Sequence, residues 1–208
     1  VTDLGPIFIP GSLGTAATSV LQRWLPLYLA TVERRVGLPS GTLPVIASWR
    51  KSGESIEKWP EDEFPALVAV SSGTDAAPLK DGDGIHRGAW RLSVAVLVDG
   101  GNTDTGGDVS PLDLAGYYGA AVRACLMHHS DLEGFGANGL TYVGEDYDET
   151  EPNARRTLGG ARVRFVVDIP NIVAASAGPT GTPPDDPNVP IAPDVDVADV
   201  LVDLDPID

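Results

Sequence analysis

Gly88-Ala89-Trp90-Arg91-Leu92-Ser93-Val94-Ala95-Val96-Leu97-Val98 is the stretch that decides the fold. Trp90, Leu92, Val94, Val96 and Val98 alternate with Ala89, Arg91, Ser93, Ala95 and Leu97. That period of two describes a strand with one face on a core, and the Trp90 face is expected to be the buried one. Ahead of it, Asp81-Gly82-Asp83-Gly84 has the residue types of a tight turn. Further upstream, Leu67, Val68 and Val70 in Ala66 to Ser71 follow the breaker Phe64-Pro65. The two runs are expected to pair antiparallel through a long connection.

Helical signals flank this pair. Val20, Leu21, Trp24, Leu25, Tyr28, Leu29 and Val32 recur at helical spacing between Thr15 and Val36, and Gly37 with Pro39 supplies a stop. Ser12 or Thr15 is the expected cap, and Pro26 is expected to bend or break the helix near its middle. Ser110-Pro111-Leu112-Asp113 opens a second helix by rule, with Ser110 as N-cap, Pro111 at the first helical position and an acid in the first turn. Its buried stripe is read as Leu112, Ala115, Gly119, Val122, Leu126 and His129, ending near Ser130, with Gly116, Gly119, Ala120 and Ala121 thin enough to lie close on a sheet.

Further strands are expected over Leu43 to Trp49, Leu140 to Val143 and Arg162 to Ile169, with Glu54 to Glu63 a charged loop and Glu145 to Glu151 an acidic hairpin tip. This order predicts an α+β fold: a mainly antiparallel sheet with two principal helices packed on one face, plus an extended C-terminal arm. The domain spans 1–175 and the arm 176–208. The arm holds eight Asp, seven Pro and no Lys or Arg, and so supplies −8 of the net charge of −16. Such a composition does not build its own core. Val195, Val197, Val200, Leu201, Leu204 and Ile207 are its candidate partner-binding anchors, expected to lie on an adjacent subunit or on another protein of the same assembly.

Charge and motifs bear on function by exclusion. A net charge of −16, with the basic residues scattered along the sequence, argues against the usual mode of nucleic-acid binding, in which Lys and Arg neutralise phosphates. No run of about 18 apolar residues is present, so no membrane role is expected, and the Val1-Thr2-Asp3-Leu4 start without a signal-peptide pattern leads to an intracellular expectation. Cys125 stands alone in an apolar helical pattern and is read as a small core residue. His128-His129 with Asp131 and Glu133 offers metal donors, but adjacent histidines on a helix diverge and no zinc spacing is present. Glu145, Asp146, Asp148, Glu149 and Glu151 have the acids of a calcium loop without its glycine. Asp104 to Asp108 reads as turn chemistry, and no nucleotide loop or nucleophile elbow occurs. No enzyme activity, cofactor or metal is expected; a small metal-dependent hydrolase using His128 or the Glu145 to Glu151 carboxylates is the reading from a different class.

With the elements in order, the chain resembles the tail terminator proteins of long-tailed, siphovirus-like bacteriophages, which share a first helix, a β-hairpin, a second helix and returning strands. The carriers are the Leu21 to Val36 helix with its Gly37-Leu38-Pro39 exit, Glu63-Phe64-Pro65-Ala66-Leu67-Val68-Ala69-Val70, the Trp90 to Val98 strand, the Ser110-Pro111 helix through Leu126, and Gly160-Ala161-Arg162-Val163-Arg164-Phe165. They extend over roughly residues 12 to 175 and include no catalytic motif. The resemblance implies a structural virion protein of the neck: a homohexamer-like ring at the head-proximal end of the tail tube, assembled in the bacterial host cytoplasm. Such a ring stops tube growth and takes part in head-tail joining. Its partners would be itself, the tail tube protein and the head-tail connector or stopper protein, with DNA passing through the bore without specific binding. A head-completion stopper or minor tail protein is the alternative within the same structural class, and Arg34, Arg35 and Arg123 are candidate bridges between subunits.

Overall fold

The computed structural model describes residues 10–50, 59–80, 85–99, 109–133, 135–153 and 156–174. Among these, two helices lie against one six-stranded sheet. The first helix, α1, spans Pro10–Val36, and the second, α2, spans Pro111–His128. The strands are β1 (Ser48–Arg50), β2 (Ala66–Thr74), β3 (Leu79–Lys80), β4 (Ile85–Asp99), β5 (Gly139–Asn153) and β6 (Arg156–Ala174). They run in the order β1-β2-β4-β6-β5, with β3 also on β4. Every pairing is antiparallel except the three-residue β1–β2 contact, where Ser48, Trp49 and Arg50 lie parallel to Ala66, Leu67 and Val68. The expected α+β architecture is therefore present.

Leu92, Val94 and Val96 of β4 are fully buried and Val98 nearly so, as the alternation requires, while Trp90 at the end of the row is half-buried. Beside them lie Val163, Phe165 and Val167 of β6, and above them Leu21, Leu25 and Leu29 of α1 with Val122 and Leu126 of α2. Each buried leucine contributes roughly 2 kcal/mol relative to exposure. A smaller cluster of Trp59, Phe64, Ala66 and Leu158 covers one end of the opposite sheet face.

α1 starts at Pro10, ahead of both expected caps, and runs unbroken through Pro26. Pro26 points to solvent, so the carbonyl that loses its partner is on the side of the helix where water can reach it. The helix ends as predicted: Gly37 adopts φ of 76°, and Leu38 N–H donates to the Glu33 carbonyl at 2.9 Å. The Glu33 side chain, 6% exposed, holds the loop that follows by accepting from Leu43 N–H at 2.7 Å. The expected strand from Leu43 is shorter and later, since Leu43 and Ile46 turn inward while Val45 is 60% exposed; that is loop burial and not alternation.

α2 begins as its sequence dictates. The Ser110 hydroxyl accepts from Asp113 N–H at 3.1 Å and donates to the Asp113 carboxylate at 2.9 Å. Its buried face is broader than the expected stripe: Leu114, Tyr118, Ala121 and Cys125 are buried, whereas Leu112 is 38% exposed. The helix packs on α1 as well as on β4, β5 and β6, and two contacts cover a wider arc than one. Tyr118 pins it further by donating to the Pro44 carbonyl at 2.5 Å.

The acidic hairpin tip expected over Glu145 to Glu151 is instead the body of β5. The reason is its neighbour: Asp146 pairs with Arg162, and Glu145, Tyr147 and Asp148 continue the ladder opposite Val163, Ala161 and Gly160. Arginines across the sheet offset the carboxylates that, read alone, signal a solvated turn.

Candidate functional site

β5 is a strand of 15 residues at the edge of the sheet, and among the described residues no strand lies on its outer side. It is fastened to the molecule from both faces. On the helix side, Arg123 of α2 donates to Glu145 at 2.5 Å and lies 5.5 Å over the Tyr142 ring. Burial of the guanidinium opposes its charge, but Tyr142 and Glu145 outweigh that and raise its pKa. On the other face, Arg164 donates to Asp146 at 3.2 Å. A register shift between Tyr142 and Gly144 leaves Val143 56% exposed.

Beyond this bracket one large apolar side chain stands among the acids of the edge. Tyr147 lies along α2, with its Oη 3.3 Å from where a Cβ on Gly119 would be, so the thin helix surface read from the sequence is used here. Burial, and then the Glu145 carboxylate, push its hydroxyl up to about 12. Tyr147, Tyr117, Leu112 and Gly116 line a shallow hollow between α2 and β5, with Asp113 on its rim. Tyr147 is 41% exposed and Leu112 38%, more than large apolar side chains in a packed core. Carboxylates and a bulge along an edge are devices that discourage random strand pairing, while the hollow offers a contact of defined shape. The sequence signal for it was the spacing of Leu112 and Gly116 on one helix face; Tyr147 was masked by the acids around it.

The remaining sequence candidates fall in three places. The His128-His129 cluster is a clasp between the helices: Tyr28 and His128 share a hydrogen bond of 2.9 Å, and His129 stacks on Trp24 at 4.7 Å. Leu132 and Glu133 take φ of 53° and 51° in the turn after α2. That turn carries Glu133 back to α1, where it accepts from Arg23 at 3.2 Å and from the Trp24 indole. Asp131 is spent within the turn, accepting from Glu133 N–H at 3.2 Å. Cys125 is fully buried, and burial, reinforced by the charge of Glu133, pushes its thiol up to about 12. No group of three or more His, Cys, Asp or Glu able to hold a metal occurs among the described residues.

Arg34 and Arg35 sit exposed in the last turn of α1, where cations suit the helix dipole, whereas Arg123 is engaged within the chain. A groove of about 1010 Å³ runs between the N-terminal half of α1 and β2, lined by small residues such as Gly11, Thr15 and Ser19. The Thr15 and Ser19 hydroxyls donate to helix carbonyls at 2.9 and 3.0 Å, so they do not converge on the groove. Val195, Val197, Val200, Leu201, Leu204 and Ile207, with the turns at Asp81 to Gly84 and Asp104 to Asp108, lie outside the described residues. No described helix is long and apolar enough to cross a membrane.

No family model matches the sequence, and no curated protein matches it. Among solved structures, the chain is similar to one described as "Virion of native gene transfer agent (GTA) particle", at 16% identity and a TM-score of 0.40. The match covers 76% of this chain and 96% of that one. A likeness at that score carries no argument about function.

Proposed function

We propose that this chain is a tail terminator: a non-enzymatic virion protein that closes the head-proximal end of a phage tail tube as a ring of its own copies and presents the other side to the head-tail connector. The observation that carries this reading is the order of elements. A long first helix, the antiparallel β2–β4 pair, a capped second helix and the returning β5–β6 pair follow one another as the resemblance implies. The open β5 edge and the Leu112–Tyr117–Tyr147 hollow supply a surface on which a second copy can sit. A ring needs such a heterologous contact, repeated until the rotation closes. The acid excess of −16 suits a protein past which DNA slides without sticking.

The test is the mass of the purified protein across a concentration series, with negative-stain images of the same samples. Rings of about six copies around a central hole are expected, alone or on adding purified tail tubes. A chain that stays monomeric in both conditions would overturn the reading.

A further inference from the structure

The two ends of the sheet differ in charge. α1 packs over β2 near one end, and α2 over β6 and β5 at the other. The only acid in α1 is Glu33, which is 6% exposed and already accepts from Leu43 N–H. The exposed side of α1 therefore carries Arg23, Arg34 and Arg35 and no carboxylate of its own. Arg23 is held by Glu133 at 3.2 Å, whereas Arg34 and Arg35 have no ion pair among the described residues. β5 is the reverse, with Glu145, Asp146, Asp148, Glu149 and Glu151 and no Lys or Arg. Arg123 and Arg164 hold the first two of these acids. Asp148 and Glu149 are exposed beside Tyr147, with no ion pair among the described residues.

Apolar shape differs in the same sense. Leu27 is 61% exposed and, at helical spacing, shares a side of α1 with Arg23, Ala30 and Arg34. Ala30 is small, and Thr31 turns its hydroxyl back on the helix, donating to the Leu27 carbonyl at 2.8 Å, so the leucine stands clear of its neighbours. The hollow between α2 and β5, about 380 Å³, has the opposite shape. Leu112, Tyr117 and Tyr147 surround Gly116, where a Cβ would meet no other element nearer than Tyr147 Cε1 at 3.9 Å. The free cations and the free acids lie toward opposite ends of one sheet, so they meet between copies. Two β5 edges brought together would set acid against acid, and two α1 faces cation against cation, so unlike surfaces are the favoured pair. Repeated from copy to copy, a heterologous contact of this kind closes a ring.

We propose that the partner of the hollow is α1 of a second copy: Leu27 of one chain seats among Leu112, Tyr117 and Tyr147 of the next, with Arg34 and Arg35 toward the free acids of its β5. The contact rests on the ring proposed above and names the surface that closes it. Burial of the leucine anchors it, and the exposed charge pairs add little affinity but set its orientation. Full-length Leu27→Cys and Gly116→Cys, mixed in equal amounts and oxidised mildly with and without purified tail tubes, test it. Cys125 does not compete, being fully buried with its thiol held protonated. A disulfide forms only where the two Cα atoms come within about 7 Å. The expected product is a linked pair containing one chain of each kind, formed roughly tenfold faster or more than homodimers of either variant alone. Adding Arg34→Glu/Arg35→Glu to the Leu27→Cys chain is expected to slow it about tenfold at about 0.01 M salt and little at about 1 M, where charges are screened within ~3 Å. Rings of the unaltered protein without the mixed disulfide would overturn this contact and leave the ring standing. Homodimers of Leu27→Cys or of Gly116→Cys in its place would overturn it in favour of like surfaces meeting across a two-fold axis. Neither rings nor the mixed disulfide, with tubes or without, would overturn both readings.

Discussion

Gly159 and Gly160 are adjacent in β6, yet the fold asks different things of them. A Cβ on Gly159 would lie 2.0 Å from the Pro111 carbonyl oxygen and 2.4 Å from its carbon, so the first turn of α2 rests directly on bare backbone. On Gly160 the nearest atoms would be Leu97 Cδ2 at 3.4 Å and the Asp148 carbonyl at 3.5 Å, ordinary contact. Gly159→Ala is expected to destabilise by more than about 3 kcal/mol, or to prevent folding, and Gly160→Ala to change stability by less than about 1 kcal/mol; urea titration of both variants checks this. Cys125 makes a second residue-scale prediction. In the unfolded chain its thiol loses a proton near about 8.5, while in the fold burial holds it up to about 12. Between those values the folded state keeps a proton that the unfolded chain has lost, so stability is full below the lower value and falls as pH rises. Phenols such as Tyr118, also raised by burial, add to the fall only above their own higher unfolded values. The urea midpoint should therefore drop between about pH 8 and 10 in the native sequence and drop less steeply in Cys125→Ala.

At the scale of elements, α1 contains its own experiment. Pro26 removes a backbone donor from an exposed turn of a continuous helix, held together by the leucines beneath it. Pro26→Ala restores the bond without touching the core and is expected to raise stability by about 1–3 kcal/mol, read from thermal or urea unfolding. A neutral or negative effect would mean that the helix is shaped around the proline. The same comparison shows where local sequence suffices and where it does not. The α2 start was legible because Ser110, Pro111 and Asp113 act within one turn, and β4 because alternation is a property of the strand itself. The acidic stretch of β5 was misread because what makes it a strand lies elsewhere, in Arg162 and Arg164 across the ladder and Arg123 on the helix above. The α2 stripe was misjudged for a related reason: Tyr118 and Cys125 are covered because α1 adds a second contact that the periodicity of α2 alone does not record. The hollow beside Tyr147 combines both cases, since it exists only where α2 and β5 meet.

For the whole molecule the dominant fact is a charge of −16 on 208 residues. Copies of one such chain repel at long range, and any contact between them must overcome this with short-range attraction. The candidate contact is apolar: Leu112, Tyr117 and Tyr147 between α2 and the β5 edge. Burial of apolar surface does not weaken as moderate salt is added, whereas the repulsion reaches ~30 Å at about 0.01 M salt and only ~8 Å at about 0.15 M. Self-association should therefore strengthen with salt over that range, opposite in sign to the salt dependence of protein bound to DNA phosphates. Sedimentation velocity at several concentrations and both salt levels reads this directly. Leu112→Glu separates the hollow from the rest of the surface. An acid at this position in the first turn of α2 suits the helix dipole, so the fold is kept while a charge enters the contact. That variant should associate at least tenfold more weakly at both salt levels with an unchanged urea midpoint. Association that instead weakens with salt, and is indifferent to Leu112→Glu, would mean that copies meet through opposite charges, with Arg34 and Arg35 at the end of α1 against the carboxylates of β5 the first pair to exchange.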